Sequence, residues 1–374
     1  MSKAFEIVVG LDFLECITNE LTSQTTARRC SSWRFKMMNR KTFLQKTTAA
    51  AGIILFPSLL ADDIVMTVTG PIRPADMKFT LEHEHVLADF IGAKEYSRDR
   101  YNADEVFARA LPFLKDAKQR GCVTFIDCSP AYLGRDVLLF KRLAEATGLN
   151  FITNTGYYGA VGEKFLPPQV YTETSEQIAA RWIAEFRNGI EGTGIKPGFI
   201  KTSVDNAPLT EAQRKVVDSA ALTHLATGLT IAIHTGNGEA AKEELAILKA
   251  RGVSPQARIW VHAQNETDKA YHVEAAQNKS WVAFDGVNPD TVKTNIEFLQ
   301  NMKAHKLLDH VLVSQDSGWY NVGEPNGGNY KDYNCIFTQF IPAMKASGFS
   351  SAEIDKIFVG NPARAFAIRV RRIQ

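Results

Sequence analysis

Cysteine is scarce in this 374-residue chain, and the five present, Cys16, Cys30, Cys122, Cys128 and Cys335, show neither a CxxC spacing nor any regular framework. That excludes a disulfide scaffold. Cys122 and Cys128 sit in the run Cys122-Val123-Thr124-Phe125-Ile126-Asp127-Cys128, which reads as a buried strand with core thiols. The chain also lacks a dense Lys/Arg stripe, its net charge is only +2, and nucleic acid is therefore not an expected partner. It has no low-complexity tract and no internal repeat beyond an alternation of strand and helix. A hydrophobic content of 45% with 22% charged residues is ordinary globular composition, enough to bury a large core and to act on a small molecule.

What is present divides into three stretches. Residues 37–61 read as an export signal. Met37-Met38-Asn39-Arg40-Lys41-Thr42-Phe43-Leu44 precedes an uncharged run from Thr47 to Ala61, too short for a membrane span. The order Arg40-Lys41-x-Phe43-Leu44 resembles a twin-arginine signal with Lys in second place, which implies a periplasmic protein with no stable membrane span after processing. Leu59-Leu60-Ala61 is a poor cleavage site by the small-x-small rule. Residues 1–36 form an extension, which places the true start at Met37 or Met38. The alternative is an N-terminal tail on a cytoplasmic protein. Residues 62–374 are expected to form one domain.

In that domain apolar strand-like runs alternate with amphipathic segments, the pattern of an α/β fold with a parallel sheet. Strands are expected at Phe79–His83, Val123–Cys128, Phe151–Thr155, Gly198–Thr202, Thr230–His234, Ile259–His262, Val282–Asp285 and Val311–Gln315. Eight such runs predict a (β/α)8 TIM barrel, with a hairpin at Ile64–Val68 and Gly70-Pro71 capping one end. Helices are expected over Ala103–Arg120, Thr174–Gly192 and Thr210–Thr227, each starting near an Asp, Thr or Ser.

Active sites of such barrels lie at the C-terminal ends of the strands. Six residues occupy those ends: His83, His85, Lys201, His234, His262 and Asp316. His83 and His85, two apart in an extended strand, share a face and can reach one ion. Each alone has an ordinary structural explanation; together, in this order, they point to a divalent metal centre.

Gly70-Pro71-Ile72, Thr80-Leu81-Glu82-His83-Glu84-His85, Gly194 to Lys201, His234-Thr235, His262 and Asn361-Pro362-Ala363-Arg364 together resemble the phosphotriesterase family of the amidohydrolase superfamily. The resemblance implies two divalent ions, usually zinc. His83, His85 and Asp316 would hold the buried ion and His234 and His262 the exposed one. Lys201, carboxylated by CO2, would bridge both ions as a carbamate that partly neutralises them, where an ammonium would be repelled. A bridging hydroxide would attack a carboxylic ester, a lactone or a phosphoester, with Asp316 accepting its proton. It also implies a homodimer. A mononuclear amidohydrolase cleaving a C–N bond would share the histidines but not need Lys201, and a third reading is a barrel that binds metal or ligand without catalysis.

The chain departs from the family beside Asp285. Gly286 stands where organophosphate-degrading members carry a relay His and lactonases an Arg. Asp285 is then a candidate for the substrate side or for orienting another group. Glu266 and Asp268 suit helix-start carboxylates, with proton relay as the alternative. Tyr158 aligns with an aromatic of the leaving-group pocket, although packing beneath the loop is an equal expectation. Trp319 lies in the glycine-rich, aromatic segment from Ser317 to Tyr330, whose composition suits a lid or binding loop.

Overall fold

The computed structural model describes residues 63–373. The extension and the export signal expected over residues 1–61 lie outside the described residues. Among the described residues no helix is long and apolar enough to cross a membrane.

The chain enters through an antiparallel pair, β1 (Val65–Thr67) and β2 (Gly70–Ile72), matching the expected hairpin. Val68 N–H donates to Phe151 O, which fastens this pair to the third expected strand. The parallel strands follow: β3 (Thr80–Glu84), with β4 (Leu87–Ala88) just after it, then β5 (Thr124–Asp127), β6 (Asn150–Ile152), β7 (Asn154–Thr155), β8 (Phe199–Ser203), β9 (Thr230–His234), β10 (Arg258–Val261), β11 (Trp281–Phe284) and β12 (Val311–Val313). Six of them pair in the order β12-β11-β10-β9-β8-β7, and β3-β5-β6 form a second group. One expected strand, Phe151–Thr155, is split into β6 and β7 at Thr153, so the chain itself joins the two groups.

At the other side, β12 and β3 are linked through the segment after β12. Asp316 N–H donates to His83 O, His85 N–H donates to Ser317 O, and the Glu84 carboxylate accepts from Ser314 Oγ and from the N–H groups of Gln315 and Ser317. This arrangement is compatible with a (β/α)8 barrel.

The strands distribute their side chains with period two. Ile126, Ile152, Phe199, Ala232, Ile259, Ala283 and Leu312 join one apolar cluster, while their neighbours Phe125, Phe151, Ile200, Ile231, Trp260, Val282 and Val311 join the clusters that pack against helices. A sheet buried on both faces explains why its strands read as unbroken apolar runs. The helices are α1 (Ala103–Gln119), α2 (Val137–Thr147), α3 (Ser175–Asn188), α4 (Glu211–Thr227), α5 (Gly238–Ala250), α6 (Lys269–Gln277) and α7 (Val292–Ala304). Thr174 and Thr210 open α3 and α4 with reciprocal capping boxes to Gln177 and Gln213.

One glycine is required where β7 and β8 finish side by side. Gly156 follows β7 at φ 129°, and a Cβ there would lie 1.9 Å from Lys201 O. Gly156→Ala is expected to cost about 2–3 kcal/mol through the left-handed φ and the backbone clash. The midpoint of urea unfolding checks this, and an unchanged midpoint would contradict so close an approach.

Candidate metal centre

The strand ends bring all six expected residues to one cavity, together with Tyr158 and Trp319. Four of them reach it by devices that periodicity does not reveal. β3 ends at Glu84, before His85, and its pairing with β5 shifts register between Leu81 and Glu84. Such a bulge re-aims side chains, so the extended-strand argument for His83 and His85 holds only in its outcome: their Nε2 atoms lie 3.3 Å apart. His262 and Asp316 each follow a strand at positive φ, 61° and 50°, where non-glycine residues are uncommon and tend to mark functional strain.

The proton positions follow from the partners. Asp285, fully buried at the end of β11, places Oδ2 2.9 Å from His83 Nδ1 and Oδ1 2.6 Å from His262 Nδ1. Burial would raise the carboxyl pKa, but the two imidazoles outweigh it and hold Asp285 well below the usual carboxylate range. An ionised carboxylate only accepts, so both imidazoles carry hydrogen on Nδ1; at His262 burial lowers the pKa but Asp285 outweighs it and raises it, whereas His83 stays neutral and leaves its Nε2 bare. His85 reaches the same state differently. Ser129 Oγ donates its hydrogen to Leu87 O and must accept from His85 Nδ1 at 2.8 Å. Burial pushes His83 down to about 3 and also lowers His85, so neither ring is an imidazolium near neutrality.

Three lone pairs therefore face one another without a proton between them. His83 Nε2 and His85 Nε2 lie 3.3 Å apart, and Asp316 Oδ1, a buried oxygen without a hydrogen bond, lies 3.0 Å from His85 Nε2 and 3.6 Å from His83 Nε2. Such an arrangement is repulsive unless a cation joins them, and its N, N, O donor set suits Zn2+ or a similar divalent ion. Lys201 is 1% exposed, and its one hydrogen-bonding neighbour among the described residues is His83 Nε2 at 3.4 Å. A buried ammonium without a carboxylate is costly. His234, its pKa lowered by burial first and by His262 next, lies beside His262 with ring centroids 4.4 Å apart. His83, His262 and Asp285 are also close enough to be considered a ligand group, but Asp285 takes N–H donors from both rings at hydrogen-bond distance, which makes it their orienter.

The other named residues fall into place around this cluster. Asp285 is absent from the cavity wall and faces the histidines, so its contact is with them and not with a substrate. Tyr158 O–H lies 2.9 Å from His234 Nδ1. Trp319 stacks on His85 at 3.6 Å between centroids and donates its indole N–H to Asp316 O. Tyr157 packs against Trp182 beneath the loop. Glu266 accepts from Gly238 N–H and Asp268 from Ala270 N–H, both helix-start roles. The segment after Asp316 is tied to the strand ends: Tyr320 and Asn321 form β13, paired with β4, and beyond it Tyr333 O–H donates to His85 O.

Sequence reasoning missed Gln264, Ser129 and Glu84. Gln264 clamps Asp285, its Nε2 donating to Oδ1 and its Oε1 accepting from the Asp285 N–H. A Cβ at Gly286 would lie 2.6 Å from Gln264 Nε2, so the glycine makes room for this amide. Position two after His262 was the only signal, and it is a weak one.

Replacing the orienting carboxylate by its amide opposes an N–H2 group to one of the two ring N–H donors. Asp285→Asn is therefore expected to weaken Zn2+ binding about 10–100-fold, read by competition with a chromophoric chelator; an unchanged affinity would show that the histidines do not need it.

Comparison with known proteins agrees with the geometry. The profile of the phosphotriesterase family matches residues 63–366. A phosphotriesterase homology protein of Escherichia coli K12 is 29% identical over 292 residues, 77% of this chain and 97% of its own. An aryldialkylphosphatase of Saccharolobus solfataricus is 28% identical over 309 residues, 79% of this chain and 97% of its own. An N-acetyltaurine hydrolase of Xenopus tropicalis is 25% identical over 342 residues, 80% and 96% respectively. With the family profile spanning most of the chain and the ligand groups assembled at the strand ends, this protein belongs to the phosphotriesterase family and is a hydrolase of that family.

Proposed function

We propose that the protein is a binuclear metal-dependent hydrolase of ester bonds, cutting a carboxylic ester, a lactone or a phosphoester, on a closed eight-stranded barrel capped by β1 and β2. The observation that carries this reading is the set of unprotonated lone pairs on His83, His85 and Asp316 beside a buried Lys201. In it, His83, His85 and Asp316 would hold one ion, His234 and His262 would hold the other, and Lys201 would serve both as a CO2-derived carbamate. Zinc is the expected metal. The carbamate accounts for a lysine buried without a carboxylate partner.

When bound, the ions supply Lewis acidity, polarising the scissile group and acidifying a water. The chain does the rest. Asp316, whose Oδ1 stands at the cavity wall without a hydrogen bond, would accept the proton of the attacking water there. Asp285 keeps His83 and His262 turned inward through their Nδ1–H groups. Trp319 covers His85 and excludes solvent from that side, and Tyr158 steadies His234 and faces the substrate.

One relative's name favours a second bond type: the N-acetyltaurine hydrolase suggests an amide of a small acid. The same residues serve either bond, whereas a mononuclear C–N hydrolase leaves Lys201 unexplained. An exported, periplasmic location, supported by residues 37–61 alone, and a homodimer, supported by resemblance alone, complete the proposal.

Protein loaded with Zn2+ and bicarbonate is expected to hold about two ions per chain, by analogy with two-metal sites, and to hydrolyse members of a panel of aryl esters, lactones, organophosphates and N-acyl amides. Only trace metal after such loading would refute the centre, and the panel decides the bond. Lys201→Ala is expected to lose both metal and activity, with activity down about 10^3-fold or more; retention of both would refute the bridging lysine.

A further inference from the structure

The cavity above the metal centre has a volume of about 340 Å³, within the range of small-molecule sites. Its walls are apolar, formed by Phe90, Leu133, Val161, Phe165 and Trp319. Outside the metal centre its lining holds one charged group among the described residues, the Lys164 side chain at the mouth.

Lys164 is held in place by more than chance exposure. It belongs to a loop after β7 in which Val161, Gly162 and Glu163 all have positive φ, 59°, 61° and 64°. Three such residues in a row, one of them β-branched, persist only where the surroundings enforce them. Here Asp205 accepts from Val161 N–H and Gly162 N–H at 2.8 and 3.1 Å, and Glu163 is occupied by the hydroxyls of Tyr171 and Thr210. The adjacent carboxylates are thus committed elsewhere, and no ion pair to Lys164 is formed among the described residues. Ala93 N–H donates to Lys164 O, and the lysine stem crosses Gly92, where a Cβ would lie 3.1 Å from Lys164 Cγ and 3.4 Å from Cε. Gly92 leaves a slot for the stem, and the ammonium ends 5.7 Å from the Phe165 ring centroid, over the cavity's aromatic wall.

We propose that Lys164 is a substrate-recognition residue and that the substrate has an apolar body ending in an anionic group, carboxylate, sulfonate or phosphate. The anion sits against Lys164 at the mouth while the scissile bond lies over the metal centre. A strong charge-assisted hydrogen bond in a partly dry site is enough to select such a molecule over a neutral isostere. The kinetic test below rests on the hydrolase reading; the binding test does not.

In metal-loaded protein, kcat/KM for mono-para-nitrophenyl glutarate is compared with that for para-nitrophenyl valerate, which matches it in length but lacks the terminal charge. The wild type is expected to favour the glutarate, chiefly through KM. Lys164→Gln should reduce that preference about tenfold, and Lys164→Glu should reverse it. In parallel, tryptophan fluorescence follows binding of a phenylalkane sulfonate and a phenylalkanol of equal chain length. Wild type should bind the sulfonate more tightly and Lys164→Gln should lose the difference, more weakly expressed at high salt. If neither ester is hydrolysed, the ester reading fails while the binding comparison still stands. An anion preference that is absent in wild type, or the same in both variants, overturns the role of Lys164 whichever bond is cut.

Discussion

The site depends on where two protons sit, and Asp285 decides that. A single buried carboxylate accepts N–H from His83 and from His262, residues that follow different strands, and thereby turns both Nε2 atoms toward the same space. The carboxylate must remain ionised in a fully buried position, which is tolerable because four donors converge on it: two ring N–H groups, the His262 backbone N–H and the Gln264 amide. Hydrogen bonding to the charged form offsets its desolvation. Gln264 in turn needs the space left by Gly286. The two positions are therefore coupled: the missing side chain at 286 makes room for the amide that braces the carboxylate beneath the histidines.

A second buried carboxylate, Glu84, supports the opposite side. It accepts from Ser314 Oγ and from the N–H groups on either side of Asp316, while burial pushes its own pKa up to about 8. Asp316 is thus held at a left-handed φ by its neighbours, not by its own preference. The two carboxylates do related work: Asp285 sets the protonation pattern of the histidines, and Glu84 places the carboxylate that faces them. Each is conspicuous in the tertiary structure because unsatisfied charge at such depth would be costly.

The candidate ligands and the cavity walls above them are carried by different segments. Ligand candidates come from strand ends, whose positions are fixed by the sheet. The walls come from the segments after β3, β5, β7 and β12, which bring Phe90, Leu133, Lys164 and Trp319 over the centre. Relatives named for a phosphoester and for an N-acetyl compound accord with this division, because changing the walls need not disturb the ligands.

The amino-acid sequence alone determined the α/β alternation, most strand positions to within a few residues, and the six residues that converge at the centre. Strand periodicity and chemically unusual residues at strand ends are local signals, and they survive in one dimension. Three things were decided only in three dimensions. The bulge between Leu81 and Glu84 decided how His83 and His85 meet, since register belongs to a pair of strands. The bracing roles of Asp285, Gln264, Ser129 and Glu84 come from partners between 21 and 233 positions away. The cavity wall, with Lys164 at its mouth, depends on a left-handed turn that Asp205 enforces from another segment. A sequence can state which groups are able to hold a metal; which proton each one carries, and what stands opposite, are properties of the packed neighbours.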